Sequence, residues 1–139
     1  MPKKKLPKKN PEEKVKRQRN LRRNKARGSA YELAIIHKLK EIGYPNVGSS
    51  RLLSRDMDNK KIDIVDPDNK LPINIQAKAT QATPDYFGIS ESCPIKDKPF
   101  VIFWKKTKAT ESTIRAVGEV CMVPTDFFYE LLKNYKNEL

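Results

Sequence analysis

Apolar and polar positions alternate most cleanly between Lys61 and Lys78, in the stretch KIDIVDPDNKLPINIQAK. In its first part Ile62 and Ile64 alternate with Lys61, Asp63 and Val65. In its second, Ile73, Ile75 and Ala77 alternate with Asn74, Gln76 and Lys78. Successive strand side chains face opposite ways, so Asp63 lies on one face of its strand, and Gln76 and Lys78 share one face of theirs. Pro67-Asp68-Asn69-Lys70 supplies turn chemistry between the two runs, which predicts hairpin neighbours. A carboxylate, an amide oxygen and an ammonium can therefore converge on one spot.

A second pattern has helical period. SAYELAIIHKLKEIGY follows Gly28, with Ser29 a candidate N-cap and Gly43-Tyr44-Pro45 a stop. On a helical wheel that turns by about 100° per residue, Ile36 falls about 40° to one side of Glu32. Leu39 falls about 20°, Ile35 about 60° and Ile42 about 80° to the other side. Glu32 thus sits inside the apolar stripe. A buried carboxylate costs several kcal/mol unless paired or bound to a cation, or unless it reaches solvent or an amide at the helix start. His37, about 140° from Glu32, belongs to the polar face.

The remaining pattern completes the fold. VGSSRLLSRDMDNK reads as a polar loop or short strand, and residues 84–92 as one or two helical turns. PFVIFWKK is a strand whose unbroken run Val101 to Trp104 suits a central, two-sided position. KTKATESTIRA reads as a turn and VGEVCMV as another strand. In the closing helix, capped by Thr125, Phe128, Leu131, Leu132 and Tyr135 form a stripe expected to face the core. The order α-β-β-β-(short α)-β-β-α predicts an α/β (α+β) fold, a mixed central sheet flanked by helices.

Charge divides the chain. Of its 139 residues, the first 27 hold 13 Lys and Arg against Glu12 and Glu13, whereas the other residues hold 16 against 15. This predicts a basic arm over residues 1–26, disordered or helical on a partner, followed by a nearly neutral domain over 27–139. Residues 1–10 are too polar and proline-rich to order alone. Pro11-Glu12-Glu13 starts a helix that carries Lys14, Arg17, Arg19, Arg22, Arg23 and Arg27, and in which Val15 and Leu21 are too few to make a core face. Such an arm suits a polyanion, nucleic acid above all, with binding that weakens steeply in salt. Ser50, Arg51, Ser54 and Arg55 in the loop suit phosphate as well.

Other classes fall away. Cys93 and Cys121 lack CxxC spacing and the chain has one His, which argues against zinc and against a disulfide scaffold. An intracellular setting is expected. No apolar run reaches the roughly 20 residues of a membrane span, and the N-terminus is no secretory signal. There is no phosphate-cradling Gly-rich loop.

The combination of Arg27-Gly28-Ser29 with Glu32, the Ser/Arg loop, Asp63 in KIDIVD and Gln76-Ala77-Lys78 in INIQAK resembles the PD-(D/E)XK nuclease superfamily. In pattern it is closest to archaeal-type Holliday junction resolvases and related phage nucleases. The resemblance covers about residues 27–104. It implies a restriction-endonuclease-like sheet and catalytic positions Glu32, Asp63, Gln76 and Lys78. Of these, Glu32, Asp63 and Gln76 would hold Mg²⁺ or Mn²⁺, and Lys78 would act on the attacking water. It further implies a DNA endonuclease acting on branched DNA, a homodimer if four-way junctions are cut symmetrically, and the cytoplasm of a host cell if the chain is phage-encoded. Ile62 stands where many members have Pro, and Gln76 where the family usually has Glu or Asp. The latter removes one negative charge, which Asp56 or Asp66 could supply. Asn74, on the same strand face, is expected to hydrogen-bond to the site. Gln76 also admits two other readings: a catalytically weakened nuclease fold that binds DNA or RNA, as in a phage virion or assembly, and a basic-tailed structural protein.

Overall fold

The structure is a computed structural model and describes residues 10–138. The expectation of disorder over the first ten residues falls, apart from Asn10, outside it, as do the side chains of Arg17, Arg19 and Leu21. The elements run α1 (Pro11–Glu41), β1 (Gly48–Ser49), α2 (Ser50–Leu53), α3 (Arg55–Asn59), β2 (Ile64–Val65), β3 (Asn74–Thr80), α4 (Tyr86–Ser92), β4 (Phe100–Ala109), β5 (Ile114–Met122) and α5 (Thr125–Glu138). One mixed sheet holds the strands in chain order; β3 and β4 are parallel and every other neighbouring pair is antiparallel.

α1 is a single helix of 31 residues, so Ser29 is an interior residue and not a cap. Its start is built as the sequence suggested, with Asn10 as the cap. Asn10 Oδ1 accepts from Glu13 N at 2.8 Å, Pro11 opens the first turn, and Glu12 and Glu13 meet the positive end of the helix. The C-terminal half buries Tyr31, Ile35, Ile36 and Leu39 against Val47, Ile64, Leu71 and Ile75. Ile42, expected on this stripe, is exposed at the helix end.

The opposite face of the sheet packs Ile62, Cys93, Phe100 and Ile102, with Met57, Tyr86, Ile89 and Trp104 around them. β4 therefore buries Phe100 and Ile102 on one side and packs Phe103 on the other, which explains its continuous apolar run. Cys93 is buried, Cys121 is exposed, and both are free thiols.

The hairpin between β2 and β3 forms as expected. Asp66 closes it: its carboxylate accepts from the backbone N–H of Asp68, Lys70 and Leu71 at 2.9–3.0 Å. Partial burial alone would raise the Asp66 pKa, but these three bonds together hold it low. The segment read as a turn after β4 is mostly strand. β4 continues to Ala109, β5 starts at Ile114, and only Thr110–Thr113 turns, with Thr110 and Thr113 bonded to each other.

α5 forms where expected but its stripe does not face the core. Phe128, Leu131, Leu132 and Tyr135 are all exposed, as are Val117 and Val120 on β5, the edge strand. The sheet's two buried faces are already covered, by α1 on one side and by α3 and α4 on the other. Among the described side chains of α5, Phe127 is the one that is half-buried.

Candidate active site

Glu32 faces inward from α1, only 9% exposed, one residue after the core Tyr31. Its charge is compensated. Arg51 Nη2 donates to both carboxylate oxygens, at 3.0 and 2.9 Å, and reaches Ser29 Oγ at 3.3 Å. Arg51 belongs to α2, the short helix that interrupts the stretch read as loop or strand.

Asp63 stands immediately before β2, where Lys61, in the left-handed region at φ 69°, has turned the chain. Three bonds fix it. Its N–H donates to Ile75 O at 2.8 Å, its carbonyl accepts from Ser50 N at 2.8 Å, and its Oδ2 accepts from Ala77 N at 2.8 Å. Burial pushes the Asp63 carboxyl up to about 6; the Ala77 N–H opposes this, Glu32 and Asp58 raise it further, and Lys78 lowers it. Glu32, Asp58, Asp63 and Lys78 thus share one electrostatic neighbourhood. Arg51 belongs to it, its guanidinium feeling Glu32 first and then Asp58 and Asp63.

Register brings Gln76 to Asp63. Ile64 pairs with Ile75, so Asp63 and Gln76 stand opposite each other one step along the ladder. Gln76 is buried and its Oε1 has no hydrogen-bond partner. An orphaned acceptor of this kind costs about 1–3 kcal/mol. Gln76 and Lys78 line a cleft of about 230 Å³ with Lys61, Asp85, Ile89 and Ser92, on the α4 side of β3. Ala77 and Ala79, between and beyond them, pack on the α1 side. The site therefore straddles the place where the two-residue β2 leaves β3. Glu32 and Arg51 approach from one side, Gln76 and Lys78 from the other, and Asp63 links them.

Among the described residues no three His, Cys, Asp or Glu side chains converge as a metal cage. What the site offers is two carboxylates, Glu32 and Asp63, and one amide oxygen. That donor set fits a hard divalent cation: all its atoms are oxygens, the Glu32 charge raises the proton affinity of Asp63, and its amide oxygen is buried without a partner. An amide oxygen is a weaker ligand than a carboxylate.

Several sequence expectations change here. Ser50 is fully buried, its Oγ donating to Asp58 Oδ1 at 3.3 Å, so it braces the loop and does not face phosphate. Ser54 caps α3, accepting from Met57 N. Arg55 is exposed, as are Lys14, Arg22 and Arg23 on α1. Arg27 lines an open cleft of about 380 Å³ with Gly28, Lys78, Thr80 and Thr107. Asn74 donates to Asp97 Oδ1 at 3.0 Å, away from the site. Asp56 pairs with Lys60 at 2.8 Å, and Asp66 belongs to its turn. The residue that reading missed is Asp58, whose charge reaches Asp63 and Arg51. Its only sequence signal was membership of a polar run. Among the described residues no helix is long and apolar enough to cross a membrane.

Comparison with family models, with curated proteins and with solved structures finds no match for this chain.

Proposed function

We propose that this chain is a Mg²⁺- or Mn²⁺-dependent endonuclease that hydrolyses phosphodiester bonds in branched DNA. The observation that carries this reading is the buried, unpartnered Gln76 Oε1 set opposite Asp63, whose carboxyl lies in the field of Glu32, Asp58 and Lys78. Glu32 and Asp63 would be the charged ligands and Gln76 the neutral one. A divalent ion so held would supply an acidified water and would offset the charge that develops on the phosphoryl group. Ala77 N–H holds Asp63 Oδ2 and so fixes the orientation of the carboxylate. Lys78 acts as a point charge beside the reacting phosphate, and the Arg27 cleft takes the adjoining backbone.

The exposed cations of α1 hold the duplex beyond the scissile step. A four-way junction presents two equivalent bonds, so the proposed working unit is a homodimer. The uncovered apolar row of α5 is the surface available for the second copy.

A second reading rests on one observation: the amide at Gln76, with Arg51 already neutralising Glu32, lowers the site's charge toward that of a DNA- or RNA-binding protein that no longer cuts. One panel separates the two. Junction, flap, duplex and single-stranded DNA are incubated with protein in Mg²⁺, Mn²⁺ or chelator, and the mass of the assembly is read by sedimentation. On the nuclease reading the wild type cuts branched DNA, Asp63→Asn and Lys78→Ala lose at least a hundredfold in rate while still binding, and Gln76→Glu cuts faster. Binding without cleavage in wild type and Gln76→Glu alike would leave the second reading standing.

A further inference from the structure

We infer that Arg51 is a built-in counter-ion that competes with the divalent cation for Glu32, so that metal binding is favoured when the guanidinium swings out. This rests on the proposed metal site. One nitrogen, Arg51 Nη2, spans both oxygens of Glu32, at 3.0 and 2.9 Å. A hard cation on Glu32 must contact at least one of those oxygens directly, inside the distance at which the guanidinium now holds it. Lone pairs remain on both oxygens, but a cationic nitrogen this close repels the ion and weakens its hold. The two occupants compete for the same carboxylate.

The pair is built to open. The Glu32 side chain is nearly buried, whereas that of Arg51 is 39% exposed. Arg51 sits on a four-residue helix whose neighbour Leu52 projects into solvent. Ser29 Oγ at 3.3 Å is a further partner, a neutral one that offers little hold. A guanidinium released at this rim is a fork of donors matched to a phosphate. Phosphate binding and metal binding then assist one another: an anionic oxygen draws Arg51 away and opens Glu32, and an ion on Glu32 frees Arg51 for the phosphate. The coupling is reciprocal.

The test reads metal affinity and not cleavage. Mn²⁺ binding to the full chain, without DNA, is measured by electron paramagnetic resonance for wild type, Arg51→Ala, Arg51→Gln and Lys60→Ala. The last removes a nearby cation that pairs with Asp56 and not with Glu32. Arg51→Ala should bind Mn²⁺ about tenfold more tightly, the equivalent of ~1.4 kcal/mol. Arg51→Gln, which keeps a donor for Glu32, should gain in the same direction and stands in if the alanine variant unfolds. Lys60→Ala should change little. Equal or weaker Mn²⁺ binding in both Arg51 variants, with binding retained by wild type, overturns the counter-ion while the metal site survives. An equal gain in Lys60→Ala also overturns it, because the effect would then be one of net charge. Absence of binding in every variant removes the metal site itself, and this inference with it.

Discussion

Burial and the carboxylates of Glu32 and Asp58 push the Asp63 carboxyl up to about 6, against the pull of the Ala77 N–H and Lys78. In the unfolded chain the same group titrates near ~3.9. Between these values the folded protein holds a proton that the unfolded chain has lost, so this contribution to stability is whole below about pH 4 and disappears as pH rises through 6. In chelator, the wild type should lose roughly 2–3 kcal/mol from this group between about pH 4 and pH 7. Asp63→Asn should lack that slope, and added Mg²⁺ should flatten it. Urea titrations across the range measure all three. At this scale the sequence was partly readable. Alternation along KIDIV and INIQAK put Asp63, Gln76 and Lys78 on chosen faces, because strand geometry leaves a side chain two options. Asp58 and the Arg51–Glu32 pair were not readable. Both depend on α2 and α3, short helices without apolar periodicity to announce them.

α1 and α5 show why whole elements are read unevenly. Gly28 followed by Ser29 looks like punctuation, since glycine costs a helix interior about 1 kcal/mol relative to alanine. The chain runs through it nonetheless, as nothing there forces a stop and the flanking residues are helix formers. No atom outside the local helix lies within 4 Å of a Cβ placed at Gly28. Gly28→Ala should therefore stabilise the protein by about 0.5–1 kcal/mol, seen as a rise of a few degrees in Tm. A fall would mean that α1 bends there in solution. For α5 the periodicity was correct and the destination was not. An amphipathic stripe tells that a face wants cover, not that this chain provides it. Phe128, Leu131, Leu132 and Tyr135 stay exposed because β5, the edge of the sheet, leaves no buried surface for them.

Across the whole molecule, the boundary between the basic arm and the nearly neutral domain falls inside α1. The basic stretch and the residue that faces the site belong to one continuous helix: exposed Lys14, Arg22 and Arg23 share α1 with Glu32. If it stays straight, such a helix sets rotational phase as well as distance. Inserting one alanine after Lys25 turns everything upstream by about 100° while lengthening the rod by only about 1.5 Å; inserting four brings the same face back to within about 40°. On the proposed function, grip on DNA should follow the angle and not the length. The dependence of log K on log salt, worth about 0.9 per phosphate contact, should flatten with one added residue and largely return with four. Equal slopes in all three proteins would mean that the arm works as a tether, whereas a periodic response would make α1 a spanner, aligning the helical pitch of the protein with that of its ligand.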